Sequence, residues 1–239
     1  MKHNGIAFMT HEHVLIKVKQ QPLQVFEIKD YYPDQLPWGF KDIFDEPEVL
    51  FHVMKAIMKR IPRSLGRLLT TRNRLLLFII DSLHSNLRKR LIEESLYQAN
   101  FGIVIHIDVG PIAVAAAEKR GYETQYIVVA VIGQVIELSF CFGGITVIKQ
   151  VINDTLSSEF DAFMSTCKKL QDKDIIDLVD TTGMPQQDMD TIRRMWNEKR
   201  GIQVIIASNN NSFDYGADRE IRYDHKVSFS QMMDLVQDI

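Results

Sequence analysis

The chain has 239 residues, 46% of them hydrophobic and 25% charged, with a formal net charge of −3. These values fit a globular protein that buries a core of its own; they exclude a disordered chain and leave no bulk positive charge to argue for nucleic acid. The two cysteines, Cys141 and Cys167, belong to neither a CxxC nor a Cys/His cluster, which argues against a zinc framework and for free, buried thiols in a reducing compartment.

The opening stretch MKHNGIAFMTHEH lacks the unbroken apolar core of a signal peptide. From Gly5 to Ile28 apolar residues alternate, with QQP at 20–22 supplying a turn, which predicts a hairpin or three-stranded meander. The Pro-rich, aromatic segment 30–40 reads as an ordered connection. Pro47 then opens a helix that runs to Arg60, with Val49, Leu50, Val53 and Ile57 on one face. A basic linker precedes the buried strand 75–80. A helix is predicted over 82–99, with Leu83, Leu87, Leu91 and Leu96 among its inward positions. A strand at 102–109 and an Ala-rich helix at 111–119 follow.

Strands are predicted at 126–132, 135–142 and 145–152, helices at 154–170 and 185–200, a strand at 203–207 and a closing helix near 229–236. In the hairpin that opens this second half, Val129, Val131, Val135 and Leu138 are the expected core positions. No run approaches the ~18 apolar residues of a membrane span. A meander followed by α/β elements occurs twice, near the start and near 126–152, and this duplication is the informative feature.

GxSxG, P-loop and GxGxxG motifs are absent. His11-Glu12-His13 places two imidazoles on one side of a strand, either as metal ligands or as ordinary turn residues. Asp108 ends a strand and is the one carboxylate placed to replace a missing catalytic group; its alternative is a capping or surface role. Ser82 reads as an N-cap. The linker around Arg63, Arg67, Arg72 and Arg74, interleaved with leucines, reads either as a contact for an anionic membrane or acidic partner, or as a solvated loop docked through its leucines.

Five stretches in order, GIAFMTHEHVLIKV (5–18), EPEVLFHVMKAIMKRI (46–61), LLLFIIDSLHSNLRKRLIEESLYQANF (75–101), VGPIAVAAAEKRG (109–121) and VVAVIGQVIELSFCFGG (128–144), resemble the MreB family. These are the rod shape-determining bacterial actin homologues of the actin-like ATPase superfamily. The likeness covers most of residues 5–164, with a weaker echo at 204–212. In that family each phosphate-binding hairpin carries an aspartate, and glycines let backbone N–H groups approach phosphate. The resemblance puts the first hairpin's aspartate, glycine and threonine on Ala7, Met9 and Thr10. It puts the second aspartate on Ala130, ahead of Gly133 and Gln134.

By the same carry-over, the glutamate that positions water falls on Gly110, and a nucleotide-side glycine run falls on Asn209, Asn210 and Asn211. Thr10, Glu137 and Asp154 coincide with family residues, but each also has a local reading, as turn hydroxyl, strand-edge charge and helix N-cap. Methyl groups and bare backbone neither bind magnesium nor orient water.

The expectations are therefore an α/β, actin-like (ribonuclease H-like) fold of duplicated βββαβα units. It would form two inner subdomains around a cleft, with outer subdomains reduced or absent, divided as 1–122 and 123–239. Function is expected to be that of a non-catalytic, MreB-like scaffold or binding protein in cell shape or cytoskeletal assembly. No metal or cofactor is expected, and ATP with magnesium enters only under the alternative of an active ATPase in which Asp108, Thr10 and Glu137 take over. The expected partner is another protein or a second copy, with a membrane surface as a further contact and no nucleic acid. The expected location is the cytoplasm, peripheral to the inner membrane if the basic linker binds lipid.

Overall fold

Among the described residues, two sheets of five strands share one topology. The computed structural model describes residues 5–10, 12–17, 22–61, 75–80, 86–99, 101–117, 124–132, 135–152, 156–198, 201–208 and 221–237. The strands are β1 (Gly5–Met9), β2 (His13–Lys17), β3 (Gln24–Glu27), β4 (Leu75–Ile80), β5 (Ile103–Ile107), β6 (Gln125–Ile132), β7 (Val135–Phe142), β8 (Ile145–Ile152), β9 (Ile202–Ser208) and β10 (His225–Ser228). The helices are α1 (Pro47–Arg60), α2 (Asn86–Gln98), α3 (Val109–Ala117), α4 (Leu156–Leu170), α5 (Gln186–Asn197) and α6 (Phe229–Gln237).

The sheet orders are β3-β2-β1-β4-β5 and β10-β9-β6-β7-β8. Read from its other edge, the second is the first repeated: an antiparallel meander of three strands whose first member pairs in parallel with a fourth, and the fourth with a fifth. The duplication expected from the two meanders is thus present strand for strand. The strand β10 completes it and was not anticipated, because four residues of HKVS carry no apolar alternation.

The chain divides into one unit of Met1–Ile107 with Met233–Ile239 and another of Asp108–Met232. Against the expected division at 122/123, α3 packs with the second sheet, because it meets β6 and β7 directly. The end of the chain returns to the first unit, where Lys17 pairs with Asp234.

In the first unit, Ala7, Met9, Val14 and Ile16 form a core with Leu50, Val53, Met54 and Ile57 of α1 and Ile92 and Leu96 of α2. The helix α1 begins where Pro47 needs no N–H partner. It ends at Ile61, which is extended ahead of Pro62. The helix α2 is rotated from the expected phase. Ile92 and Leu96 point inward, whereas Leu87 and Leu91 are 71% and 42% exposed; Leu83 lies outside the described residues.

In the second unit, Val129, Val131 and Leu138 lie in the core as expected, with Ile136 beside them. The side chain of Val135 lies outside the described ones. Phe160, Phe163, Cys167 and Trp196 cover this face from α4 and α5. The Trp196 ring meets Phe142 edge-on with centroids 5.1 Å apart, and its indole N–H donates to the Lys173 carbonyl at 2.9 Å, so the buried ring leaves no polar atom unpaired. Gly143 and Gly144 take φ of 59° and 79° between Phe142 and Ile145. Two consecutive left-handed residues are what a two-residue hairpin of this twist requires.

Both thiols are free and buried. Burial pushes Cys167 up from its ordinary 9.0 to about 12, and Cys141 still further. Because an unfolded thiol loses its proton first, stability holds below about pH 9 and is lost as pH rises toward 12. Neither cysteine should react with an aromatic disulfide reagent in the native protein, and both should react once denaturant is added; thiolate absorbance checks this.

Candidate functional site

The two hairpins that the resemblance assigns to phosphate binding are built alike, which permits a residue-by-residue comparison within the chain. In the first, Met9 pairs with Val14, Phe8 with Leu15 and Ala7 with Ile16. Thr10 N–H donates to the His13 carbonyl at 2.9 Å to close the turn. In the second, Ile132 pairs with Val135, Val131 with Ile136, Ala130 with Glu137 and Val129 with Leu138.

Counted back from each two-residue tip, Met9 corresponds to Val131, Phe8 to Ala130, and Ala7 to Val129. Ala7 and Ala130 thus stand one residue out of step with each other, counted from the tips. Ala7 and Met9 lie on the face packed against α1 and α2, and the counterpart of Ala130 is Phe8, wholly buried. No carboxylate stands at either position under either register.

The Thr10 hydroxyl is used by its own turn. It accepts from Glu12 N–H at 3.2 Å and His13 N–H at 2.9 Å, and donates to the His13 carbonyl at 3.2 Å. This is the local reading of Thr10, a side chain that substitutes for backbone partners in a tight turn.

In the second sheet the pairings put Tyr126, Val128, Ala130, Glu137, Ser139, Cys141, Ile205 and Ala207 on the face away from α4 and α5. The helix α3 rests on this face, and Gly110 is its point of closest approach. A Cβ at residue 110 would lie 2.5 Å from Cys141 Sγ and 3.0 Å from Ser139 Cβ. The position to which the resemblance assigns a glutamate is a helix–sheet contact with no room for a side chain.

Glu137 also departs from expectation. It is not a strand-edge charge: β7 runs between β6 and β8, and Glu137 is 1% exposed. It accepts a hydrogen bond from Ser139 Oγ at 2.9 Å. Among the described residues it is the one buried acid. The signal was present in VIELSFCF, where Glu137, Ser139 and Cys141 alternate with Ile136, Leu138 and Phe140.

Asp108, half-exposed, accepts from Lys149 Nζ at 2.6 Å, and Lys149 is the cross-strand neighbour of Ser139. The structure thus gathers Asp108, Gly110, Ala130 and Glu137 around α3 in one unit, and leaves Ala7, Met9 and Thr10 in the other. As chemistry, the group consists of a partly exposed ion pair, Asp108 with Lys149, and a buried carboxylate, Glu137, hydrogen-bonded to Ser139.

Among the described residues no three His, Cys, Asp or Glu side chains are grouped to hold a metal ion. Gly133, Gln134, Asn209, Asn210, Asn211, Asp154, Ser82 and His11 lie outside the described residues, as do Arg63, Arg67, Arg72 and Arg74.

No family model matches the sequence, and no curated protein matches it. Solved structures do match. MreB 5 of Spiroplasma citri bound to AMPPNP is 10% identical, with 98% of this chain and 94% of that one covered at a TM-score of 0.52. The ethanolamine utilization protein EutJ from Carboxydothermus hydrogenoformans is 9% identical, covering 96% and 85% at 0.51. The chain has an actin-like fold. This bears out the expected fold class, and at such identities the likeness is one of fold alone.

Gly110→Ala should cost about 1–3 kcal/mol of stability, since neither strand atom under it can move away cheaply. Gly201→Ala, where a Cβ meets nothing within 4 Å, is the control; urea denaturation of the two variants checks the difference.

Proposed function

We propose that this chain is a non-catalytic actin-like protein of MreB type, retained as a scaffold or binding partner in cell-shape or cytoskeletal assembly. The feature that carries the reading is that buried alanines, Ala7 and Ala130, stand at the positions to which the resemblance assigns the two hairpin carboxylates. The solved MreB 5 structures hold AMPPNP and ADP. Coordinating the magnesium of such a nucleotide takes oxygen ligands, carboxylates above all, and the hairpins of this chain supply none at these positions.

The remaining polar groups support the same reading. A catalytic threonine would need a free hydroxyl, and that of Thr10 is committed to the turn. Asp108 is held by Lys149, and Glu137 is buried with Ser139 Oγ as its hydrogen-bond donor. An active ATPase built on Asp108, Thr10 and Glu137 would have to undo all three arrangements.

The proposal includes no cofactor and no nucleic-acid partner, and a cytoplasmic location. No helix among the described residues is long and apolar enough to cross a membrane. Contact with an anionic membrane surface, if made, falls to Arg63, Arg67, Arg72 and Arg74.

Calorimetric titration with Mg-ATP should show no metal-dependent binding in the micromolar range. Phosphate release should stay at background and be unchanged by Asp108→Ala. Micromolar binding, or release abolished by that substitution, would establish the ATPase instead.

A further inference from the structure

The face of α2 turned away from the core reads Leu87, Leu91, Glu94 and Gln98, spaced so that they line one side of the helix. Both leucines are exposed. With Pro47, Glu48 and Phe51 of α1, the last three of them wall a groove of about 340 Å³, which buried Ser95 also lines. The Ser95 hydroxyl donates to the Leu91 carbonyl at 2.9 Å, so it requires nothing of an occupant.

The groove thus joins three apolar side chains, Pro47, Phe51 and Leu91, to one carboxylate on each wall, Glu48 from α1 and Glu94 from α2. Both carboxylates are exposed. Among the described residues neither has an ion-pair partner. Arg88 of α2 is held by Asp45, and Lys55 of α1 sits over the Phe51 ring at 5.1 Å. The chain entering α1 adds to the negative charge, since residues 33–48 carry Asp34, Asp42, Asp45, Glu46 and Glu48 against Lys41.

We propose that this groove takes a basic, amphipathic helix of a partner protein, its apolar seam against Phe51 and Leu91 and lysine or arginine on both flanks. A helix laid between two others presents one flank to each wall. Glu48 then meets one flank and Glu94 the other, and their charges favour cationic side chains at both. Leu87 carries the apolar wall one turn beyond the groove. From Leu87 to Gln98 the stripe is about 16 Å long, enough for about three turns of the docked helix.

The charge of the groove decides against other occupants. An anionic lipid surface or an acidic partner is repelled by it, and a wholly apolar one would cover two carboxylates without a counter-charge. The proposal deepens the scaffold reading by giving the partner a chemistry, and rests on that reading for its role. The experiment contains no nucleotide, so its failure and that of the calorimetry are separable.

Fluorescence anisotropy of a labelled synthetic helix, titrated with the full chain, tests the contact. The probe has about 14 residues, roughly four turns, with leucine at every third or fourth position and lysine on both flanks. Saturable one-to-one binding is expected. Glu48→Gln and Glu94→Gln should each weaken it about two- to fivefold, and Leu91→Asn about tenfold. All three positions are exposed, so the circular dichroism spectrum should not change. A peptide of the same composition, its leucines scattered around the helix, should bind about tenfold more weakly. Lack of saturable binding, binding that the three substitutions leave unaltered, or equal binding of the scattered peptide overturns the proposal. Dimers of the chain alone in sedimentation velocity, dissolved by Leu91→Asn, would give the groove to a second copy and overturn it as well.

Discussion

Burial of the leading strand of each meander on both of its faces constrains everything else in this structure. The strand β1 lies between β2 and β4, and β6 between β7 and β9. Ile6, Ala7, Phe8 and Met9 are all without exposure, as are Tyr126 to Val129, with Ala130 and Val131 nearly so. A lone ionised carboxylate in such a place costs several kcal/mol unless a metal or cation compensates it. On the proposed reading no magnesium nucleotide is bound and no compensating charge is present, so apolar side chains are the stable choice. Stability of the sheets and absence of nucleotide chemistry are, on the proposed reading, one fact viewed from two sides.

The polar groups that remain obey the same constraint. Each is satisfied within a few residues of itself or across one strand: Thr10 by its turn, Glu137 by Ser139, Asp108 by Lys149. Local satisfaction removes the cost of burial, and it also removes the freedom that a catalytic group needs. Glu137 is the one that sequence alone misplaced in kind, because a charge in an apolar strand suggests an edge. The sheet accommodates it in the interior with a hydroxyl as partner.

Much of the fold could be read from the chain. Alternation in β6, β7 and β8 marked their ends to within a residue, and the repeated meander foretold the repeated sheet. Where reading failed, the cause was degeneracy or distance. The helix NLRKRLIEESLYQ carries two apolar stripes, Leu87 with Leu91 and Ile92 with Leu96, and periodicity alone does not say which is buried. In the first hairpin Ala7, Phe8 and Met9 are all apolar, so nothing in the sequence marks a face. The close contact of Gly110 could not be read, because Cys141 lies far along the chain and becomes its neighbour only when α3 settles on the second sheet.

The return of residues 233–239 to the first unit has a bearing on how the protein is made. The second unit is an unbroken run of chain and can assemble as soon as it leaves the ribosome. The first, although synthesised earlier, stays incomplete until residues from Met233 onward follow, with Asp234 to meet Lys17. Its apolar strands must wait through the synthesis of the whole second half. The strands of the first unit are therefore left without their full set of partners for longer during translation than those of the second.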